Sequence, residues 1–242
     1  METLLKNIRN TSRILLENNE VEAVLGFCRG SLPMARRPFL ARTPEQTEQL
    51  YWDEFCLMNL ANFIPADVQG KIAVIAKGCD WRNLVVHGQE GLLSLEEKIF
   101  VLGVSCKGML DAVKIQGASD KLERIEGIAS AADELKILTP DGEFSLARKT
   151  LYRQACLECR QPAPVTADIW LTETAGEIQS LQDLADRDFD QADELNYGKE
   201  QYQEMFKNCL MCFACRDSCP LCYCKQCFVD IEKSHWISWE AP

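Results

Sequence analysis

The sequence predicts an α/β body on a small parallel or mixed sheet with flanking helices, followed by a short cysteine-rich segment. Two observations carry the body. The runs 71–77 (KIAVIAK) and 99–105 (IFVLGVS) read as buried strands, and the stretch between them reads as helical. Strand, crossover and strand make a parallel unit, expected to be right-handed. A third observation sets the end of the chain apart: seven of the 13 cysteines fall within positions 209–227.

The elements follow in order. Leu4, Leu5, Ile8, Ile14 and Leu15 recur near a helical period and predict an amphipathic helix over 2–18. Residues 21–27 (VEAVLGF) predict a strand, and 28–42, rich in Arg, Gly and Pro, a loop. Thr43-Pro44-Glu45-Gln46 has the form of a helix start, with Thr as cap and Pro in the first turn. A helix toward Ile64 is expected from there, interrupted near Asp53 and stopped by Pro65. After strand 71–77, Gly78-Cys79-Asp80 reads as a turn, 84–88 as a short helix, and 94–98 as a second helical turn before strand 99–105. Asp141-Gly142 marks a hairpin between ELKILT and EFSLAR, and 147–155 reads as helical. Residues 160–176 read as a linker or a surface-hugging segment. The expected organisation is an α/β body over 1–160, a linker with an acidic helical segment over 161–205, and a cysteine segment over 206–242.

Composition narrows the function. The 242 residues are 47% hydrophobic and 26% charged, an ordinary soluble mix, with a net charge of −11. Such a chain has no electrostatic reason to follow nucleic acid or an anionic membrane. No apolar run approaches the ~20 residues of a membrane helix. The N-terminus lacks the apolar core of a secretory signal, so a cytoplasmic location is expected. Thiols stay reduced there, and 13 of them call for metal or redox chemistry. Residues 173–204 hold ten acidic and two basic side chains, read either as a solvated helical face or as a docking surface for a basic partner.

The tail reads CLMCFACRDSCPLCYCKQC. Cys209, Cys212, Cys215 and Cys219, followed by Pro220, form the C-x2-C-x2-C-x3-C-P run of ferredoxins, so 206–242 is expected to be a ferredoxin-like [4Fe–4S] cluster segment. Three close thiolates can hold three corners of one [4Fe–4S] cube, while the fourth turns away toward another. A fourth ligand for the first cluster would come from later in the tail, such as Cys227, leaving Cys219 with Cys222 or Cys224 to begin a second site. Zinc is the competing reading, since Cys212/Cys215, Cys219/Cys222 and Cys224/Cys227 all have knuckle-like spacing. Disulfides fit the compartment least.

In the body, Cys79 and Cys106 each follow the end of a predicted strand, at the carboxyl edge where open α/β sheets place ligands. With the pair Cys156-x2-Cys159 they number four, enough for one more cluster. The alternative for Cys79 and Cys106 is a small core hydrophobe, and that is the expected role of Cys28 and Cys56. Arg29, Arg36, Arg37 and Arg42 crowd one predicted loop. Their guanidinium forks would match the pyrophosphate of a flavin or nucleotide, with Arg36 and Arg37 as the candidates. The other reading is pairing with the chain's excess acid. No dinucleotide-binding glycine motif or phosphate loop is present, and His87 and His235 stand too isolated for a triad.

Four pieces together carry a resemblance: Lys77-Gly78-Cys79-Asp80-x-Arg82; the run Gly103-Val104-Ser105-Cys106-Lys107-Gly108-Met109-Leu110-Asp111; Cys156-x2-Cys159 with Pro162 and Pro164; and the tail C-P-x-C-x-C-x-x-C. The chain resembles the beta subunits of deazaflavin (coenzyme F-420) hydrogenases and formate dehydrogenases. It is most similar to the short formate-dehydrogenase-beta-like form associated with heterodisulfide-reductase-type complexes. The resemblance implies an electron-carrying subunit of an anaerobic oxidoreductase complex, with [4Fe–4S] clusters and often FAD. Two clusters are expected, and the cysteine count has room for a third. The cysteines are then ligands, and Lys77, Asp80 and Arg82 candidate cofactor-site residues. Expected partners are a heterodisulfide-reductase-A-like flavoprotein and a formate dehydrogenase or hydrogenase subunit. The alternatives are a flavin-dependent enzyme exchanging hydride with a deazaflavin or nicotinamide, and a zinc-stabilised interaction module.

Overall fold

A computed structural model describes residues 2–65, 68–118, 125–131, 133–172, 198–219 and 221–222. The chain divides into two compact units, Met1–Leu195 and Asn196–Pro242.

The first unit has mixed α/β architecture. Helix α1 (Glu2–Glu17) buries Ile8, Leu15 and Leu16, while Ile14 faces outward. Strands β1 (Ala23–Arg29), β2 (Arg36–Ala41), β3 (Ile72–Ala76), β4 (Ile99–Gly103) and β8 (Ile169–Trp170) form a five-stranded mixed sheet in the order β2-β1-β3-β4-β8. β2 runs antiparallel to β1, and the other pairings are parallel. Every residue of β3 is buried, as a central parallel strand requires. Helices α2 (Gly78–Gln89) and α3 (Leu95–Lys98) lie in the crossover between β3 and β4, as the alternation of apolar runs implied.

A second, three-stranded antiparallel sheet follows α4 (Ala112–Gly117) and holds β5 (Gly127–Ser130), β6 (Glu134–Thr139) and β7 (Gly142–Ala147). The hairpin is present beside the expected Asp141-Gly142, with Pro140 and Asp141 as the turn and Gly142, at φ +131°, opening β7 opposite Thr139. Leu135 and Ile137 pack with Phe55, Leu110, Ile115, Leu151 and Tyr152 in a core of their own. Glu54, in the chain before β3, ties that segment to the second sheet, accepting from Arg148 (2.6 Å) and from the Ser130 hydroxyl (2.8 Å).

Five segments differ from the sequence expectation. The predicted loop 28–42 contains β2, whose Pro38 is tolerated because the strand lies at the sheet edge. The predicted helix 43–64 is two 3-10 turns, Pro44–Gln49 and Leu60–Phe63, around irregular chain. Residues 52–56 are all buried, so no helical face exists. The Asp53 and Asn59 side chains instead accept the N–H groups of Phe55 and Ala61, offering the backbone a turn in place of a helix. Gly78-Cys79-Asp80 is not a free turn but the first turn of α2. Residues 147–155 are not one helix: β7 runs into them, a 3-10 turn follows at Arg148–Thr150, and α5 spans only Gln154–Leu157. The predicted linker 160–176 contributes β8, where Asp168 accepts the N–H of Val101 (2.6 Å) and Leu171 is buried.

In the second unit, α6 (Lys199–Phe206) and α7 (Ala214–Ser218) flank a cysteine-bearing turn. Most of the acidic stretch lies outside the described residues, as do Cys224 and Cys227. No helix among the described residues is long and apolar enough to cross a membrane.

Candidate metal centre

The parallel sheet delivers Cys79 and Cys106 to the same edge. β3 and β4 pair in register, with Ala76 opposite Gly103, so the residues just beyond them leave the sheet side by side. Cys79 sits in the first turn of α2 and Cys106 in the loop after β4.

The other two cysteines come from a distant stretch, and backbone hydrogen bonds carry them in. The loop after β4 zips onto 151–153: Asp111 donates to the Leu151 carbonyl (2.8 Å) and Arg153 to the Met109 carbonyl (3.0 Å). Further on, the Pro162 carbonyl accepts from both Gly78 (3.2 Å) and Cys106 (3.1 Å), clamping the two sheet-edge segments to the chain that follows Cys159. Gly78 has to be glycine for this contact, because a Cβ there would run into the Gln161 carbonyl oxygen and the Ala163 backbone.

The four thiols act on one another. Burial pushes Cys79 up to about 11, with Asp80 adding to the rise, Lys77 opposing it, and Cys159 and Cys156 adding more. Burial pushes Cys106 up to about 12, against Lys77 and the Gly108 N–H, with Cys79 and Cys156 contributing. Cys156 is raised, again by burial first, with the Met109 N–H lowering it and Cys159 raising it. Two backbone donors already face sulfur: Gly108 N–H to Cys106 Sγ and Met109 N–H to Cys156 Sγ, each at 3.4 Å. Gly108 has φ +89°, a left-handed turn that glycine adopts without cost. That is the physical content of the sequence Cys-Lys-Gly-Met.

Beneath the thiols lies a buried ion pair. Lys77 Nζ is 2.9 Å from Asp80 Oδ2, and both side chains are buried. Asp80 also accepts the N–H groups of Lys77 and Leu60, each at 2.8 Å, so its carboxylate caps α2 and ties down the 3-10 turn before β3. The ammonium lies over the rings of Phe27 (4.9 Å) and Trp52 (5.5 Å) and donates to the Met58 carbonyl (3.4 Å). Arg82 is exposed on α2.

The arginines of 29–42 are engaged elsewhere. Arg36 donates to buried Asp53 through Nε (2.9 Å) and to the carbonyls of Pro33 and Ala35. Arg37 Nε donates to Cys28 Sγ (3.1 Å), Arg42 pairs with Glu22 (3.1 Å), and Arg29 lies over Tyr51 (4.2 Å). Cys28 and Cys56 are both buried in the main core.

Cys209, Cys212, Cys215 and Cys222 are exposed in the second unit, with Cys219 partly covered. Met211 and Phe213, on either side of Cys212, both have positive φ (51° and 59°), a conformation costing about 1–2 kcal/mol per non-glycine residue. These turns curl the chain so that the Met211 N–H meets Cys209 Sγ (3.4 Å).

Do these donors fit a metal group? Among the described residues no three cysteine, histidine or acidic side chains close on one ion-sized point. Tetrahedral zinc would need thiolates about 3.8 Å apart. A cube spreads its four thiolates over separate irons and takes N–H donors at its sulfurs. Four body thiols brought to one sheet edge by shared backbone hydrogen bonds, with peptide N–H groups aimed at two of them, match the second demand better. Among the described residues Ser12 Oγ, Ser105 Oγ and Gln161 Nε2 are buried without a hydrogen-bond partner. Ser105 directly precedes Cys106 and Gln161 lies two positions after Cys159, so these two are available as donors at the cysteine site. Neither was singled out as a site residue from the sequence. Ser105 directly precedes a candidate ligand, which is the one signal that would have found it.

No family model matches this chain. Its fold is similar to a chain of the F420-reducing [NiFe] hydrogenase complex from Methanosarcina barkeri, in a structure of a xenon derivative. The TM-score is 0.50 at 15% identity, over 66% of this chain and 63% of that one. The chain therefore matches somewhat less than two thirds of that relative's length. At this identity the likeness is one of fold.

Proposed function

We propose that this chain is an iron–sulfur electron-transfer subunit of a multi-subunit anaerobic oxidoreductase of heterodisulfide reductase, formate dehydrogenase or hydrogenase type. It relays electrons between a flavin-bearing subunit and a catalytic subunit in the cytoplasm. The observation that carries this reading is the convergence of Cys79, Cys106, Cys156 and Cys159 at the carboxyl edge of the sheet, under the shared Pro162 carbonyl. A fold similar to a chain from a hydrogenase complex adds to it.

In this reading Cys79, Cys106, Cys156 and Cys159 hold one [4Fe–4S] cluster. Cys209, Cys212, Cys215 and Cys219, with Cys222, Cys224 and Cys227, hold one or two more. A bound [4Fe–4S] cluster would supply a one-electron store between a donor and an acceptor subunit, with no bond in the chain made or broken. The chain's residues bury the site, fix the thiols, and aim the Gly108 and Met109 N–H groups at sulfur. Ser105 Oγ and Gln161 Nε2 are two more donors for the same group. FAD, if carried, is assigned to Lys77, Asp80, Arg82, Arg36 and Arg37. Three of these, Lys77, Asp80 and Arg36, already make buried ion pairs, which favours the relay over a hydride-transferring flavoenzyme.

The test is anaerobic purification of the full chain with iron, acid-labile sulfide, zinc and flavin quantified. Iron and sulfide in equal amounts, and loss of one cluster's share in Cys106→Ser, support the reading. Zinc without sulfide would replace it with a structural module, and stoichiometric flavin would replace it with the hydride-transferring enzyme.

A further inference from the structure

We propose that Lys77 is a potential-setting residue: its buried ammonium, fixed beside the Cys79–Cys106 edge, raises the reduction potential of the cluster those cysteines hold. This rests on the reading of the four body cysteines as ligands.

The placement is unusual for a lysine. The side chain is fully buried, a setting that lysine almost never occupies unless it is paired. It is paired, by Asp80 at 2.9 Å, and its remaining contacts are two aromatic faces and one carbonyl. Two aromatic rings and a counter-ion stabilise a cation and leave the ammonium no room to swing away. The residue also lies immediately after β3 and two positions before Cys79, so the sheet fixes its position relative to the thiols.

A purely structural ion pair would act only on its own surroundings, and this one acts further. Burial works against the ammonium, and the Asp80 carboxylate at 2.9 Å, the Phe27 and Trp52 rings and the Met58 carbonyl hold the charge in place. The same positive charge favours the ionised form of Cys79, Cys106 and Cys156. Asp80 acts against ionisation of Cys79. The pair is uneven toward the site: at Cys79 the anion outweighs the cation, at Cys106 and Cys156 the cation is the member of the pair that acts, and the Asp80 oxygens are taken up by the N–H groups of Lys77 and Leu60. One-electron reduction adds negative charge at this edge. A fixed cation stabilises the reduced state more than the oxidised one, and net charge is one of the quantities that set such potentials. No proton or covalent bond moves.

The experiment is a redox titration of the full chain, prepared anaerobically, with mediators and a low-potential chemical reductant as electron source. The signal followed is the EPR or visible absorption component that disappears in Cys106→Ser. If no component disappears there, the ligand reading fails, and that failure is distinct from failure of this proposal. Lys77→Gln is expected to lower the midpoint potential of that component, and Lys77→Arg to leave it near wild type, both with iron and sulfide retained. An unmoved potential in an iron-replete Lys77→Gln chain overturns the proposal. An equal shift in Lys77→Arg also overturns it, because the cause would then be shape and not charge. Loss of iron from both variants assigns Lys77 to holding the fold and overturns it as well. If only Lys77→Gln loses iron, Asp80→Asn decides. Removing the anion that offsets the ammonium must raise the potential; no change, a fall, or loss of the body's iron from Asp80→Asn as well overturns the proposal.

Discussion

The two sets of cysteines in this chain are built by opposite means. In the tail, Cys209, Cys212, Cys215 and Cys219 lie within eleven positions, and local turns at Met211 and Phe213 bring them round. In the body, Cys79 and Cys159 are eighty positions apart, and a sheet, a helix start and one shared carbonyl bring them together. The tail set depends on spacing and stays exposed. The body set depends on the whole fold and is largely covered. In the proposed reading a metal group in the first would be held by a motif, and in the second by tertiary structure.

The contrast breaks most sharply at Asp80. Asp80→Ala strands a buried lysine and two backbone N–H groups, and removing one partner of a buried pair costs about 3–5 kcal/mol. Chemical denaturation monitored by tryptophan fluorescence is expected to show a loss of that size, together with loss of the body's share of iron. The tail's iron should persist. A fall in both shares together would mean that the tail site also depends on the fold of the first unit.

Next in size are the ligands themselves. Cys106→Ala and Cys212→Ala should each remove about one cluster's iron, measured by colorimetric assay, and the double variant should lose the sum, since the two sites share no residue. The tail variant should leave the denaturation midpoint of the iron-free chain unchanged, because Cys212 is exposed. Non-additive iron loss would show that the two sets cooperate.

The same contrast explains what was legible in the sequence. The tail motif reads directly, because its spacing is its geometry. The sheet edge was legible through the two apolar runs, and with it the neighbouring exits of Cys79 and Cys106. The chain from 43 to 64 was not, because residues 52–56 are buried on every side and leave no periodicity to read, and Asp53 and Asn59 turn it locally. The strands β2 and β8 were hidden for a related reason. Edge strands tolerate Pro38 and can be as short as Ile169–Trp170, so they resemble loops. The buried pair Lys77–Asp80 was legible only as part of a motif, since nothing in a sequence says that a lysine is fully enclosed. The Pro162 clamp had no signal at all beyond a proline following two cysteines.

A smaller effect sharpens the dependence of the body site on that clamp. Gly78→Ala places a methyl group against the Gln161 carbonyl and the Ala163 backbone, where no flexible side-chain end can yield. Overpacking of this kind costs about 1–3 kcal/mol. The strain falls on the segment that carries Cys156 and Cys159 into place. Thermal melting should show the loss, and iron retention in the body should drop more than stability alone accounts for. Stability lost with iron unchanged would show that the clamp positions nothing.

The smallest expected effect separates the iron-free chain from the loaded one. Gln161 Nε2 is buried and has no partner among the described residues, whereas an ordinary buried amide donor would find one. An orphaned donor costs about 1–3 kcal/mol of desolvation that no bond returns. In the iron-free chain, Gln161→Leu should therefore be neutral or stabilising. In the loaded chain the same change removes a donor that would otherwise face an acceptor on the bound group, so the midpoint potential should fall and iron should be lost faster to a chelator. The two states then respond to one substitution with opposite signs, which a packing defect cannot produce. Matching responses in the two preparations would show that Gln161 faces no ligand, leaving its amide an orphan of the fold alone.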